Sequence, residues 1–403
     1  HIVNTNSSFS EREFEIKEGI EPYPSGDWGN YVKAAVAGLA PLVRQQKSSV
    51  NGFSAVVSGT IPAAAGLSSS SALVVVSALV FLWANGIHLP TMELAELLAK
   101  AERFVGTEGG GMDQAISLMG EFGQALRIDF FPLRTTPVSL PQQYGFVICN
   151  SLIKAPKTEA AMNNYNRRPV ECRIAAALIH QELQREIIFN HPVERLADVA
   201  REKTGLEEKK YNAIIERALN PMVLGLKQAQ ERLGLDKVAF QEKYLRLKSG
   251  NLFTAPGEGF KVKARYNHVV SEAQRVEYAI QALVDNNVQF FGELMNESHA
   301  SCRDAYEISI KELDALTEIA RENGAIGSRL TGAGFGGCVV NLVPSQQVER
   351  FKAGVNRDYY KDYLKIEHPE ISLAAQNMDE IIFASGAVKG AGPVRFSGSL
   401  SDF

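Results

Sequence analysis

From Ala72 to Ala84 the chain reads Ala-Leu-Val-Val-Val-Ser-Ala-Leu-Val-Phe-Leu-Trp-Ala and stays apolar until Gly86 and Pro90. The run is too long for a typical strand and predicts a buried helix. The stretch before it, Gly52–Thr60, is short and partly alternating, as in a half-buried strand. Between the two lies Pro62–Ser71, made almost wholly of small residues. A flexible linker would not be framed by two buried elements. The serines are therefore expected at a helix N-terminus, where unpaired N–H groups and the helix dipole favour an anion. Small residues at Gly66-Leu67-Ser68-Ser69-Ser70-Ser71 let a phosphate approach the backbone, and serine hydroxyls can add hydrogen bonds or a metal contact.

Upstream, Phe14–Ile16 predicts a short strand, and Trp28–Lys33 opens a helix running to about Arg44. Trp28, at its mouth, either packs against apolar neighbours or covers a base with its flat ring. Thr91 is expected to cap the next helix, whose Leu94, Leu97, Leu98 and Ala101 form an apolar face. Glu102 follows one turn after Leu98, at the edge of that face. An inward carboxylate needs a partner, either a structural Arg or Lys or a metal cation. Three consecutive glycines, Gly109, Gly110 and Gly111, leave room for backbone to pass close to something bulky. Asp113 then opens a short helix, either as a cap or first-turn acid or as the group that meets a substrate hydroxyl.

Phe122–Phe130 and Gly145–Asn150 read as strands, with Pro132 and Pro141 punctuating the connection. A first domain over residues 1–154 and a second over 155–403 are expected. The second opens on a helix begun near Arg168, with Val170, Cys172, Ile174, Ala175, Leu178 and Ile179 on one side. Residues 193–259 are rich in Lys, Glu and Gln and predict surface helices with a solvated face. Three helices follow, Val269–Asn286, Val288–Tyr306 and Lys311–Asn323, the last stopped by Gly324. Gly332, Gly334 and Gly337 match a GxGxxG pattern, but the predicted order is helix, glycines, strand. A dinucleotide fingerprint needs the reverse, so it is excluded. The glycines form either a tight turn into a buried strand or a second backbone surface over phosphates held by the serine loop. Ser345 caps a helix to about Tyr363, and Ile381–Ala384 supplies a last strand. The alternation of elements indicates an α+β fold.

With 45% hydrophobic and 22% charged residues the composition is that of an ordinary globular protein. A net charge of -4 offers neither nucleic acid nor a membrane surface a basic face. Cys149, Cys172, Cys302 and Cys338 form no CxxC pair, and the histidines form no HExxH. Reduced thiols and a cytoplasmic location are expected, without a His/Cys metal site.

Three motifs in order, Pro62–Leu73, Gly109–Gln114 and Leu330–Cys338, resemble the second motif, catalytic-Asp segment and third motif of the GHMP small-molecule kinases. Gly106–Gln114, Asn164–Arg168, Glu171–Arg173 and Leu294–His299 resemble the eukaryotic galactokinase and N-acetylgalactosamine kinase branch. The likeness covers Asn4 to about Ser385 and is weaker over 193–259 and Lys389–Phe403. It implies a two-domain α+β fold, with an N-terminal domain like ribosomal protein S5 domain 2 and a ferredoxin-like C-terminal domain carrying the helical insertion. It also implies ATP-dependent phosphorylation of the anomeric C1 hydroxyl of galactose or N-acetylgalactosamine, by a monomer.

Carried onto this chain, the resemblance gives Asp113 the role of catalytic base and Ser70 and Glu102 that of Mg²⁺ ligands. Gly66, Leu67, Ser68, Ser69, Ser70 and Ser71 wrap the ATP phosphates, with Trp28 near adenine. Gly110, Gly111, Thr331, Gly332 and Gly334 form the sugar-side active-site loops. The family's first motif, which supplies an Arg and sugar contacts, is expected before His1, and a protein starting at His1 is expected to lack activity and expose a sheet edge. Lys263 stands where relatives often carry a Tyr near the sugar, with Tyr266 as a substitute. Two alternative functions are a non-catalytic galactose- and ATP-binding regulator and a GHMP kinase for another small molecule. The complete serine loop disfavours the first, and Gly110–Gln114 disfavours the isoprenoid members of the second.

Overall fold

A computed structural model describes the chain except residues 63–64, 106–109, 131, 155–158, 248–249, 374–376 and 395–403. Gly109, part of the predicted glycine gap, and most of the tail from Lys389 lie outside the described residues.

The N-terminal part begins with β1 (Ile2–Asn4), α1 (Gly29–Gln46), β2 (Ala55–Val57), α2 (Ser69–Ala84), α3 (Thr91–Ala101) and α4 (Met112–Met119). β1 and β2 pair in parallel, Ile2 opposite Ala55. Phe14 and Ile16 form no strand; their side chains pack against the helical core instead. That core joins α1 to α4 through Val36, Leu39, Val43, Val74, Ala78, Phe81, Leu94, Leu98 and Leu118. Each fully buried Leu or Phe among them contributes roughly 1.5–3 kcal/mol. The uniformly apolar run after the serines is the helix predicted for it. Thr91 is the first residue of α3 rather than its cap, Pro90 standing at the cap position.

β3 (Gln124–Asp129) and β4 (Arg134–Ser139) form an antiparallel hairpin. The expected connection, punctuated by Pro132 and Pro141, contains a strand in β4, which holds Pro137 opposite Leu126. Proline lacks an N–H, which a two-stranded ribbon tolerates on its outer side. β5 (Tyr144–Asn150) belongs to another sheet, completed from the C-terminal part.

Next come α5 (Glu159–Glu186), α6 (Glu208–Ala218), α7 (Leu226–Leu233), α8 (Lys237–Phe240) and α9 (Val262–Val284). α5 begins well before Arg168 and continues through Pro169. The segment 193–259 is not a set of solvated surface helices. Ile214, Ile215, Leu219, Leu224, Phe240, Leu245 and Phe253 pack with Val170, Ile174, Leu178 and Leu183 of α5 in a large buried cluster. In α6 the apolar residues Tyr211, Ile214, Ile215 and Ala218 recur at i, i+3, i+4 and i+7, so one stripe is buried beneath a charged face.

α10 (Val288–Ser301), α11 (Lys311–Glu322), β6 (Gly327–Leu330), β7 (Cys338–Pro344), α12 (Val348–Val355), α13 (Leu364–Glu367), α14 (Met378–Ile381) and β8 (Ile382–Ser385) complete the chain. The antiparallel sheet has the order β6-β7-β5-β8, with Val147 opposite Asn341 and Ala384. Val147, Cys149, Leu313, Leu316, Val339, Val343, Phe351 and Tyr359 fill the space between this sheet and α11 and α12. β5, which precedes Lys154, thus ties the N-terminal part to the C-terminal sheet. The four cysteines are free, and burial pushes the Cys338 thiol up to about 12 and that of Cys149 further still. Among the described residues no helix is long and apolar enough to cross a membrane.

Candidate active site

The serine loop enters α2 through two left-handed residues, Gly66 at φ +74° and Ser68 at φ +55°. Gly66 adopts this conformation without cost, whereas a serine there is unusual and held by its surroundings. Ser68 stands at the cap position, but its hydroxyl accepts no capping hydrogen bond from the helix N–H groups. Ser69 and Ser70 are half-exposed in the first turn, and Ser71 is buried. Leu67 packs with Ala65, Ile148, Cys338, Val340 and Phe383, anchoring the loop on the C-terminal sheet.

The second glycine-rich stretch meets this loop backbone to backbone. A Cβ on Gly332 (φ +73°) would lie 2.6 Å from the Gly66 carbonyl oxygen, and one on Gly337 would lie 2.7 Å from that of Ala65. Side chains are thereby excluded from the seam. Thr331 O faces Gly66 from the other side. Gly334 is buried against the Ile308 carbonyl. These glycines turn the chain into the buried strand β7 and at the same time bring their backbone against the serine loop. Phe335, left-handed at φ +61°, lies 5.1 Å from the Arg168 guanidinium, and its N–H donates to Ile308 O at 2.7 Å. The resemblance does not give Arg168 this role.

Glu102 follows α3 in a short 3-10 turn and is buried. Ser71 Oγ donates to its Oε1 at 2.6 Å, and the Gln114 side chain bonds it too. Ser71 thus ties the first turn of α2 to Glu102, with Ser70 half-exposed beside it. Burial holds the Glu102 carboxyl above its ordinary value and the nearby Asp113 charge adds to this, against the two hydrogen bonds. Asp113 sits half-buried in the first turn of α4, next to Gln114. Gly111 before it takes φ +88°, and a Cβ there would come within 2.9 Å of Ala99. Gly110 is exposed, with open space beside it. Burial raises the Tyr31 phenol, and the Glu102 charge raises it further, so α1 also borders the cluster.

Trp28 is 8% exposed. Its Nε1 donates to Ser10 O at 2.9 Å and its ring packs with Ile2, Phe9 and Val32. Lys263 pairs with Glu216 at 2.6 Å. Tyr266 packs on the core around α5 and α6, its hydroxyl 3.5 Å from that of Tyr211.

A buried carboxylate beside a second acid, with hydroxyl and amide oxygens around it, is a hard, oxygen-rich set that suits Mg²⁺ better than a softer metal. Helix N-terminus, small-residue seam and paired acids together suit a phosphorylated nucleotide.

The family description "GHMP kinases N terminal domain" matches residues 30–121, and "GHMP kinases C terminal" matches 279–362. Galactokinase of Dictyostelium discoideum is 38% identical over 393 residues, which cover 91% of this chain and 76% of that protein. Galactokinase of Saccharomyces cerevisiae is 32% identical over 426 residues, covering 93% and 80%. The crystal structure of Lactococcus lactis galactokinase complexed with galactose aligns with a TM-score of 0.69 at 26% identity, covering 97% of this chain and 82% of that one. With this likeness in sequence and in fold, the chain belongs to the GHMP kinase family, in its galactokinase branch.

Proposed function

We propose that this protein transfers the γ-phosphoryl group of ATP to the anomeric C1 hydroxyl of galactose, releasing ADP and galactose 1-phosphate. The observation that carries the reading is the meeting of the Gly66 and Gly332 backbones beside the buried Glu102 and the half-buried Asp113. The likeness to galactokinases over most of the chain supports galactose as the acceptor.

The amide groups at the start of α2 and along the seam bind the ATP phosphates, and the α2 dipole favours their charge. Gly66 and Gly332, lacking Cβ atoms, let the phosphates approach the backbone. Asp113 accepts the C1 hydroxyl proton as the sugar oxygen bonds to the γ-phosphorus and the bond to the bridging oxygen of ADP breaks. Glu102 and a serine hydroxyl of the first α2 turn would hold Mg²⁺, with Gln114 orienting the carboxylate. When bound, Mg²⁺ neutralises phosphate charge. Positioning supplies most of the rate, since phosphoryl transfer has a loose transition state. The enzyme acts as a monomer in the cytoplasm on small molecules alone.

A coupled ADP-release assay on the full-length protein, with ATP, Mg²⁺ and a panel of galactose, N-acetylgalactosamine, mevalonate and homoserine, tests this reading. Galactose is expected to give the highest kcat/KM. Turnover with mevalonate or homoserine alone, or binding of galactose and ATP without ADP release, overturns it.

A further inference from the structure

β6 is the edge strand of the four-stranded sheet, and it runs from Leu330 directly into Thr331 and Gly332, which meet the serine loop. Ser328 and Leu330 are fully buried, so an outward N–H on either needs a partner at the edge. One face of α10 supplies both. Asn296 Oδ1 accepts from the Ser328 N–H at 2.9 Å, and its Nδ2 donates to Ile326 O at 3.2 Å. One turn on, His299 Nδ1 accepts from the Leu330 N–H at 3.2 Å. One turn back, Gly292 lets the helix approach so closely that a Cβ there would lie 2.8 Å from the Ile326 carbonyl oxygen. Gly292, Asn296 and His299 stand at i, i+4 and i+7, a single stripe that follows the strand toward the active-site loop.

An imidazole whose Nδ1 accepts a hydrogen bond is neutral and carries its proton on Nε2. The Nε2 of His299 lies 3.0 Å from Asp314 Oδ1, which also accepts from Ser309 Oγ at 2.6 Å. The ring is thus fixed in tautomer and orientation at both ends, although nothing on it reaches the serine loop directly.

We propose that His299 is a positioning residue for the nucleotide: through the Leu330 N–H it sets where the Thr331–Gly332 backbone meets Gly66, and so where the second wall of the phosphate site stands. The proposal rests on the kinase reading above and deepens it. Replacing His299 with Leu leaves a buried N–H unpaired at the last residue before the loop.

In the full-length protein, His299→Leu is expected to raise KM for ATP by about tenfold, with KM for galactose within about twofold. His299→Gln, whose Oε1 can accept from Leu330, restores most of the ATP affinity. A merely structural role would reduce the amount of active enzyme, and so the apparent kcat, leaving both KM values unchanged. That result in a folded variant overturns the proposal. If His299→Leu does not fold, Asp314→Asn carries the same measurement: a selective rise in KM for ATP supports the proposal, and unchanged KM values sink it. A parent protein that releases no ADP with galactose overturns the kinase reading instead. Calorimetric Kd values for Mg·ATP in parent and His299 variants then decide the positioning claim, equal values overturning it.

Discussion

Ser71 Oγ and Glu102 Oε1 lie 2.6 Å apart, so the first turn of α2 and the end of α3 share one buried hydrogen bond at the foot of the phosphate loop. The bond offsets only part of the cost of burying a carboxylate near Asp113. Glu102 is therefore a group whose function opposes stability.

Its titration gives the sign. A carboxyl with a higher pKa folded than unfolded holds its proton more tightly in the fold, so its ionisation opposes folding. The penalty is absent below the ordinary value of 4.5, grows as pH rises through the elevated folded value, and is complete above it. Glu102→Gln removes it. The nucleotide-free variant is expected to melt at or above the parent's Tm at neutral pH, the difference closing as pH falls toward 4.5. Its turnover should drop by at least about 100-fold, and Mg·ATP should no longer raise its Tm. Calorimetric melting across pH checks the first claim, and a Tm well below the parent's at neutral pH contradicts it.

Asp113→Asn keeps the shape and first-turn position in α4 but cannot take the sugar proton. A kcat loss of about 10²–10⁴-fold is expected, with smaller changes in either KM. Near-parental turnover with ATP and galactose would remove Asp113 from the chemistry.

At Gly332 the prediction is steric. Alanine there is strained at φ +73° and its Cβ would press to 2.6 Å on the Gly66 carbonyl oxygen, so the two loops must part. Gly332→Ala should raise KM for ATP by about tenfold or more. Gly257→Ala, in open space away from the seam, serves as the control and should match the parent. Equal KM values for the two variants would show that the loops need not touch.

The site was legible where chemistry is written in local order. The small-residue run before an unbroken apolar helix, the acid at the margin of α3 and the acid opening α4 each carry their own signal, and α2, α3 and α4 stand where those signals put them. What escaped depends on contacts distant in sequence. The Ser71–Glu102 hydrogen bond joins residues 31 apart and has no local signal. The stripe of α6 is diluted by charged neighbours and gains meaning only against α5. Arg168 reaches Phe335 from far along the chain.

The charged network beneath Phe335 leads to a stability prediction. Arg265 and Glu171 are both 0% exposed and pair at 2.5 Å. Glu171 also accepts from Arg167 Nε and the Lys261 N–H, each at 2.9 Å, while Arg265 reaches Ala305 O and Glu307. Such a pair adds little over a well-packed apolar one, because desolvation offsets the attraction, but breaking one side strands the other charge. Glu171→Gln preserves volume and leaves the Arg265 guanidinium with the half-buried Glu307 as its remaining carboxylate partner. A loss of up to about 3 kcal/mol is expected, since Glu307 still compensates part of the Arg265 charge, read as a lower urea midpoint at an unchanged m-value. Glu171→Gln combined with Arg265→Met should recover part of that loss, since no unpaired charge remains. A double variant less stable than the sum of the two single losses would show that the pair does not act as a charge-compensated unit.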